Sequence, residues 1–146
     1  NAGWTIERQE INAADGATGA PGDITIYKDG AIFKAIEVTE RPIDGSRVDS
    51  TFSTKITLNN AAEYLFVYTN DLPRENALER AKAYFAQGYN INFASITDLT
   101  IHILLSGDEA FRTAYNERMF ELFNAQDVQA TIKVAWNDAL TEAMQA

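Results

Sequence analysis

Gly19-Ala-Pro-Gly-Asp-Ile-Thr-Ile-Tyr-Lys-Asp-Gly-Ala-Ile-Phe-Lys-Ala-Ile-Glu-Val-Thr-Glu-Arg41 is the stretch whose reading decides the fold. Ile24 and Ile26 alternate with Thr25 and Tyr27, Asp29-Gly30 is a turn pair, and Ala31 to Val38 is rich in β-formers, so the stretch predicts a β-hairpin. Asp23 stands at the entrance of the first strand and Glu37 well inside the second. Whether the two acids meet depends on pairing. A loop of Asp29 to Ala31, with Gly30 free to take positive φ, puts Lys28 opposite Ile32. Asp23 then lies across from Glu37 on the same face, with Cβ atoms about 5 Å apart. A turn of Asp29-Gly30 alone slips the register by one and sends Glu37 to the other face. Joining the acids therefore requires the longer loop or a bulge.

Carboxylates held that close repel unless a cation, a shared proton or ample water stands between them. Oxygen donors of this kind suit Mg²⁺, which is usually held by one or two carboxylates plus phosphate. The backbone carbonyl of Val38 is a third protein ligand in this reading. The alternative from spacing alone is a solvated hairpin end with two unrelated acids.

Pro21-Gly-Asp23 followed by Glu37-Val-Thr39 resembles the PD-(D/E)xK nuclease signature on a β-hairpin. The longer string Gly-Ala-Pro-Gly-Asp-Ile-Thr-Ile-Tyr, with Ala-Ile-Glu-Val-Thr-Glu-Arg-Pro, is similar more narrowly to type II restriction endonucleases of the SacI type. The resemblance covers about the first third of the chain. It implies an Mg²⁺-dependent endonuclease acting on double-stranded DNA. Asp23, Glu37 and Val38 would hold the metal, the Arg41 to Arg47 loop would face DNA, and a homodimer would place one site on each strand.

One position departs from the pattern. Where the family usually has lysine two residues past the glutamate, this chain has Thr39, which cannot supply charge to orient and deprotonate a water. Lys55, on the helix expected after the hairpin, is the first candidate to replace it, completing a catalytic set of Asp23, Glu37 and Lys55. Lys34 is the second, although its side chain would point to the other face.

The 146 residues suffice for one domain with a single core, and 46% apolar and 11% aromatic content exclude a disordered chain. The absence of cysteine excludes a disulfide framework and a thiolate metal site and fits a cytoplasmic protein. No apolar run approaches the ~18 residues of a membrane span. The chain starts at Asn1 rather than Met, which predicts a C-terminal part of a longer protein, with 1–146 a single nuclease-like domain. A net charge of −9 is unusual for a protein gripping DNA unaided. Locally Lys34, Arg41, Arg47 and Lys55 redress it.

Trp4 to Ile11 reads as a first strand or the end of a helix, with strand favoured, and Glu10 and Asp15 as upstream metal ligands or, more simply, exposed acids. Val48, Phe52 and Ile56 mark a helix ended by Asn59-Asn60. Tyr64 to Tyr68 reads as a strand buried on both faces. Pro73 opens a helix with Leu78, Ala81 and Phe85 on its packed side, closed by Gly88. Ile91 to Ile96 is a further strand. Helices are expected over 97–105, over 108–124, and from a cap at Asp127 through Met144. The fold class is α/β of the α+β kind: a restriction-endonuclease-like core with a central mixed β-sheet flanked by helices, and a helical C-terminal part.

His102, the lone histidine, reads as structural, and without a second His or Cys a zinc site is excluded. Phe111, Tyr115, Phe120, Phe123 and Trp136 fall at helical spacing and read as core. Two functions compete with an endonuclease. One is a nuclease-like binding module without catalysis, which Thr39 and the acidic total favour. The other is glycoside hydrolysis by a carboxylate pair, which lacks an aromatic sugar platform and ranks last. The DNA target sequence is not legible.

Overall fold

The computed structural model describes residues 3–8, 21–124 and 128–145. Five strands form one mixed sheet in sequential order: β1 (Trp4–Arg8), β2 (Ile24–Lys28), β3 (Ala31–Thr39), β4 (Glu63–Tyr68) and β5 (Asn90–Ser95). β1, β2 and β3 pair antiparallel, whereas β3, β4 and β5 pair parallel. Parallel neighbours need crossovers, and helices supply both. Helix α1 (Gly45–Thr51), continued by a π-helical turn over Phe52–Ile56, joins β3 to β4, and α2 (Glu75–Phe85) joins β4 to β5.

The hairpin resolves the register by a bulge. Its turn is Asp29-Gly30 with φ of 53° and 81°, the paired positive values of a type I′ turn, which Asp and Gly tolerate. Lys28 pairs with Ala31 and Tyr27 with Ile32, the register that would separate the acids. Between Ile26 and Tyr27 it shifts, so that Ile26 pairs with Lys34 and Ile24 with Ile36. Phe33 is the extra residue. The bulge undoes the slip of the short turn and returns Glu37 to the face of Asp23.

That face carries the core. Ala35, Glu37 and Thr39 of β3 are buried at alternate positions, while Val38 between them is exposed. Above them pack Ile43, Val48 and Ile56, with Tyr64, Phe66, Ala77, Ala81 and Ile91 in the same cluster. Phe52 stacks on Tyr84 at 3.7 Å between centroids and meets Tyr89 edge-on. The four-residue recurrence of Val48, Phe52 and Ile56 is thus real, but its second half is a π turn in which the Thr57 N–H bonds to the Phe52 carbonyl. In α2 the packed residues are Ala77 and Ala81, whereas Leu78 and Phe85 are 43% and 67% exposed. The expectation that these two face the core is corrected. Two alanines one turn apart let the helix lie close to the sheet, and the larger side chains flank the contact. Gly88, with φ of 93°, closes the helix as expected.

Residues Asn1–Thr100 form one compact unit and Ile101–Ala146 another. α3 (Ile96–Ser106) begins in the first and ends in the second. α4 (Glu109–Asn124) and α5 (Ala130–Gln145) belong to the second. Asp108 caps α4, accepting from the Phe111 N–H at 2.8 Å. Phe123 packs against Trp136 at 4.8 Å, but no described residue of α4 or α5 is buried. Phe111 and Phe120 are exposed and Tyr115, Phe123 and Trp136 half-buried, so the five aromatics do not make the closed core that was expected. Glu10, Asp15 and Asp127 lie outside the described residues. No helix among those described is long and apolar enough to cross a membrane.

Candidate active site

The first acid ends a tight approach of two chain segments. A Cβ on Gly22 would stand 2.6 Å from the Ile36 carbonyl oxygen, so only glycine lets Pro21-Gly22-Asp23 lie against β3 there. Asp23 then reaches the neighbouring strand, and its Oδ2 accepts the Val38 N–H at 2.7 Å. A strand residue directs its N–H and C=O toward the same side, so the Val38 carbonyl also faces the Asp23 side. β2 begins only at Ile24, which leaves this end of β3 without a ladder partner on that side.

Glu37 is 8% exposed and accepts from three side chains of its own chain. Oε1 accepts from Arg47 Nη2 at 2.6 Å; Oε2 accepts from Lys55 Nζ at 2.9 Å and from the Tyr64 hydroxyl at 2.7 Å. Burial is the largest influence on this carboxyl and pushes its pKa up. The hydrogen bonds from Tyr64, Arg47 and Lys55, with the Lys55 charge, outweigh burial and leave it below the ordinary glutamate value. Burial pushes Tyr64 far above the ordinary tyrosine value, and the negative charge of Glu37 pushes it further. Glu37 is therefore ionised and Tyr64 protonated at neutral pH.

The two cations arrive together because of the helix that carries them. Asp44 caps α1, its Oδ1 accepting the Arg47 N–H at 3.0 Å, and the Gly45 N–H donates to Asn76 Oδ1 at 3.0 Å. In a regular α-helix a residue eight positions on from Arg47 would lie about 80° around the axis. The π turn absorbs the surplus residue and brings Lys55 onto the side of Arg47. Asn59 holds the far end, donating to the Lys55 carbonyl at 2.8 Å.

Asp23, Glu37, Val38, Thr39, Glu40, Arg41 and Arg47 line one cavity of about 300 Å³. A larger hollow of about 570 Å³ between α2 and β5, lined by Leu78, Phe85, Ile91 and Phe93 among others, holds no carboxylate. Asp23 and Glu37, separated in sequence, thus share one cavity. Lys55 meets Glu37 directly. Lys34 instead pairs with Glu63 at 3.1 Å, as its place on the opposite face implied. Arg41 is exposed at the rim. Arg47, expected at a DNA-facing surface, has its guanidinium on Glu37, with Nη1 3.5 Å from the Arg41 carbonyl. Thr39 is buried, and its Oγ1 accepts the Arg41 N–H at 3.1 Å, so this position fixes the loop after β3 rather than carrying charge.

The donor set fits Mg²⁺ by its chemistry. It consists of oxygens: two carboxylates and a main-chain carbonyl, the small hard set this ion takes with water and phosphate completing its shell. Asp23 Oδ1 has no hydrogen bond among the described residues, and Glu37 Oε1 has one. No group of three or more His, Cys, Asp or Glu that could hold a metal ion occurs among the described residues, so any ion here would rest on two carboxylates with main-chain, water or phosphate oxygens. His102 is exposed on α3.

Residues 1–70 match the family model of the SacI restriction endonuclease C-terminal domain. That similarity supports a restriction endonuclease relationship, and the matched span contains Asp23, Glu37, Val38, Arg47, Lys55 and Tyr64. No curated protein matches the chain.

Tyr64 is the site residue that sequence reading missed. Its signal was present: a tyrosine in an otherwise apolar buried strand needs a partner for its hydroxyl. The partner lies on a neighbouring strand, which spacing along the chain does not reveal.

Proposed function

We propose that this chain is the catalytic part of an Mg²⁺-dependent type II restriction endonuclease that hydrolyses phosphodiester bonds of double-stranded DNA. The observation that carries the reading is the convergence of Asp23, Glu37 and Lys55 at one end of the hairpin, inside the span that matches a restriction endonuclease domain. Asp23, Glu37 and the Val38 carbonyl would hold the metal. The chemistry such an ion would supply is polarisation of the scissile phosphate and a lowered pKa for a water. Lys55, already charged beside Glu37, orients that water and offsets negative charge developing on the phosphate. Arg41 at the rim would meet the DNA backbone, and Arg47, whose guanidinium holds Glu37, would reach a phosphate only by turning from that contact. Cleavage of both strands would take a homodimer, and the absence of cysteine suits a cytoplasmic setting.

The test is plasmid cleavage by the full-length protein with Mg²⁺, alongside Ca²⁺ titration. Saturable Ca²⁺ binding and Mg²⁺-dependent cleavage, both lost in Asp23→Ala and Glu37→Ala, are expected. A second reading has its own observation: three donors of the chain already occupy Glu37, and Thr39 carries no charge. In that reading the fold is a catalytically inactive module that binds DNA or protein. DNA binding without cleavage at any Mg²⁺ concentration would favour it.

A further inference from the structure

We propose that Tyr64 is a positioning residue that decides which oxygen of Glu37 is offered to a divalent cation and ties that carboxylate to the Pro21-Gly22-Asp23 turn. The inference rests on the endonuclease reading above, through the cation that Asp23 and Glu37 would share.

Tyr64 lies on β4 next to Ala35 of β3 and is 1% exposed, its ring tilted against Phe66 at 5.1 Å. Its oxygen stands 2.7 Å from Glu37 Oε2 and 3.0 Å from the Pro21 carbonyl. A carbonyl and an ionised carboxylate only accept, and the hydroxyl has a single proton. The shorter, charge-assisted bond takes it, and the proton serves Pro21 only as a longer second contact.

The consequence lies in the count of lone pairs. Oε2 receives both Tyr64 and Lys55, which uses its two acceptor sites, whereas Oε1 receives Arg47 alone. Asp23 has the same division, with Oδ2 taken by the Val38 N–H. Each acid thus has one oxygen tethered by the chain and one with acceptor capacity to spare. Tyr64 is the only neutral, fully enclosed tether among the three on Glu37. Arg47 and Lys55 sit on a helix and can turn toward a phosphate. Tyr64 sits buried on β4, between β3 and β5, and cannot. Its second contact is to a carbonyl two residues before Asp23, and Gly22 between them lies so close to β3 that a Cβ there would stand 2.6 Å from the Ile36 carbonyl oxygen. One hydroxyl therefore touches both the Glu37 carboxylate and the segment that leads into Asp23.

The experiment uses the whole chain, with Ca²⁺ alone as the calorimetric probe and Tyr64→Phe as the variant. Tyr64→Phe should stay folded and bind Ca²⁺ about tenfold more weakly at temperatures well below its melting transition. In cleavage assays the Mg²⁺ half-saturation should rise by a similar factor, with the rate recovered at saturating Mg²⁺. A merely structural tyrosine would lower the melting temperature and leave the Ca²⁺ affinity of the folded protein unchanged, which overturns the inference. Should Tyr64→Phe fail to fold, site-specific 3-fluorotyrosine at position 64 keeps the volume and strengthens the donor. At least about twofold tighter Ca²⁺ binding is then expected, and unchanged binding overturns the inference. Parent protein that binds no Ca²⁺, or whose binding survives Glu37→Ala, defeats the underlying metal reading and this inference with it. Parent binding that Glu37→Ala abolishes but Tyr64→Phe leaves intact defeats the inference alone.

Discussion

Replacing Glu37 by glutamine should unfold this protein more readily, although removing an acid from a metal site usually relieves repulsion. The amide keeps the volume and can still accept from Tyr64, but it leaves Arg47 and Lys55 without a counter-charge. Deleting one member of a buried ion pair costs about 3–5 kcal/mol. Here the Arg47 and Lys55 side chains are 22% and 31% exposed against 10% for Glu37, so water takes up part of the orphaned charge. Roughly 2–3 kcal/mol remains. At about 4 °C per kcal/mol for a chain of this size, the melting transition should fall by roughly 8–12 °C. Asp23→Asn is the contrast: its amide oxygen can accept the same Val38 N–H, and a loss under about 1 kcal/mol is expected. Circular-dichroism melts and urea titrations at pH 7 read both. Adding Arg47→Met to Glu37→Gln should cost less than the two single changes together, because they share one interaction. Glu37→Gln melting within about 2 °C of the parent, or above it, would refute the contacts of Glu37 with Arg47 and Lys55 as a source of stability.

The lowered pKa of Glu37 sets a pH window. A depressed folded-state pKa contributes stability that is present above the unfolded value, ~4.3, and lost as pH falls through the folded value beneath it. Melting temperature should therefore drop on acidification below about pH 4.3, and Glu37→Gln should flatten that part of the profile. Deleting Phe33 removes the bulge but keeps Ile26 opposite Lys34, so Glu37 should stay across from Asp23 and Ca²⁺ binding by calorimetry should persist; loss of binding would refute the register. Lys55→Met should lower the cleavage rate about 10²-fold with Ca²⁺ affinity changed far less, measured by plasmid nicking and calorimetry. Equal losses in both would assign Lys55 to metal binding.

The parts of the site legible in the sequence are those set by local chemistry. Asp29-Gly30 announces a hairpin turn, and the recurrence through Val48 and Ile56 a helix able to deliver Lys55; the close approach of Gly22 to Ile36 was not legible. The register was legible only as a choice between a longer loop and a bulge. Phe33 has no special φ or composition to announce that it is the surplus residue, and the choice is made by where the buried positions of β3 must fall. The packed side of α2 was misread because Leu78 and Phe85 outweigh Ala77 and Ala81 in apolar area. Small residues win where a helix must come close to a sheet. Tyr64 and the Arg47 contact to Glu37 are pairings across distant elements, which periodicity along one chain cannot express.

Placing the ammonium of Lys55 on a widened helical turn frees it from the alternation of the sheet. On β3 its position would be locked to that of Glu37. On the crossover, an inserted or lost residue can rotate the cation into or out of reach while Asp23 and Glu37 keep their places. Position 39 is thereby released to anchor a loop with a hydroxyl. In the endonuclease reading proposed above, a search pattern that insists on lysine two places past the glutamate would overlook a protein built in this way, whereas one that allows the charge to travel to the next helix would find it.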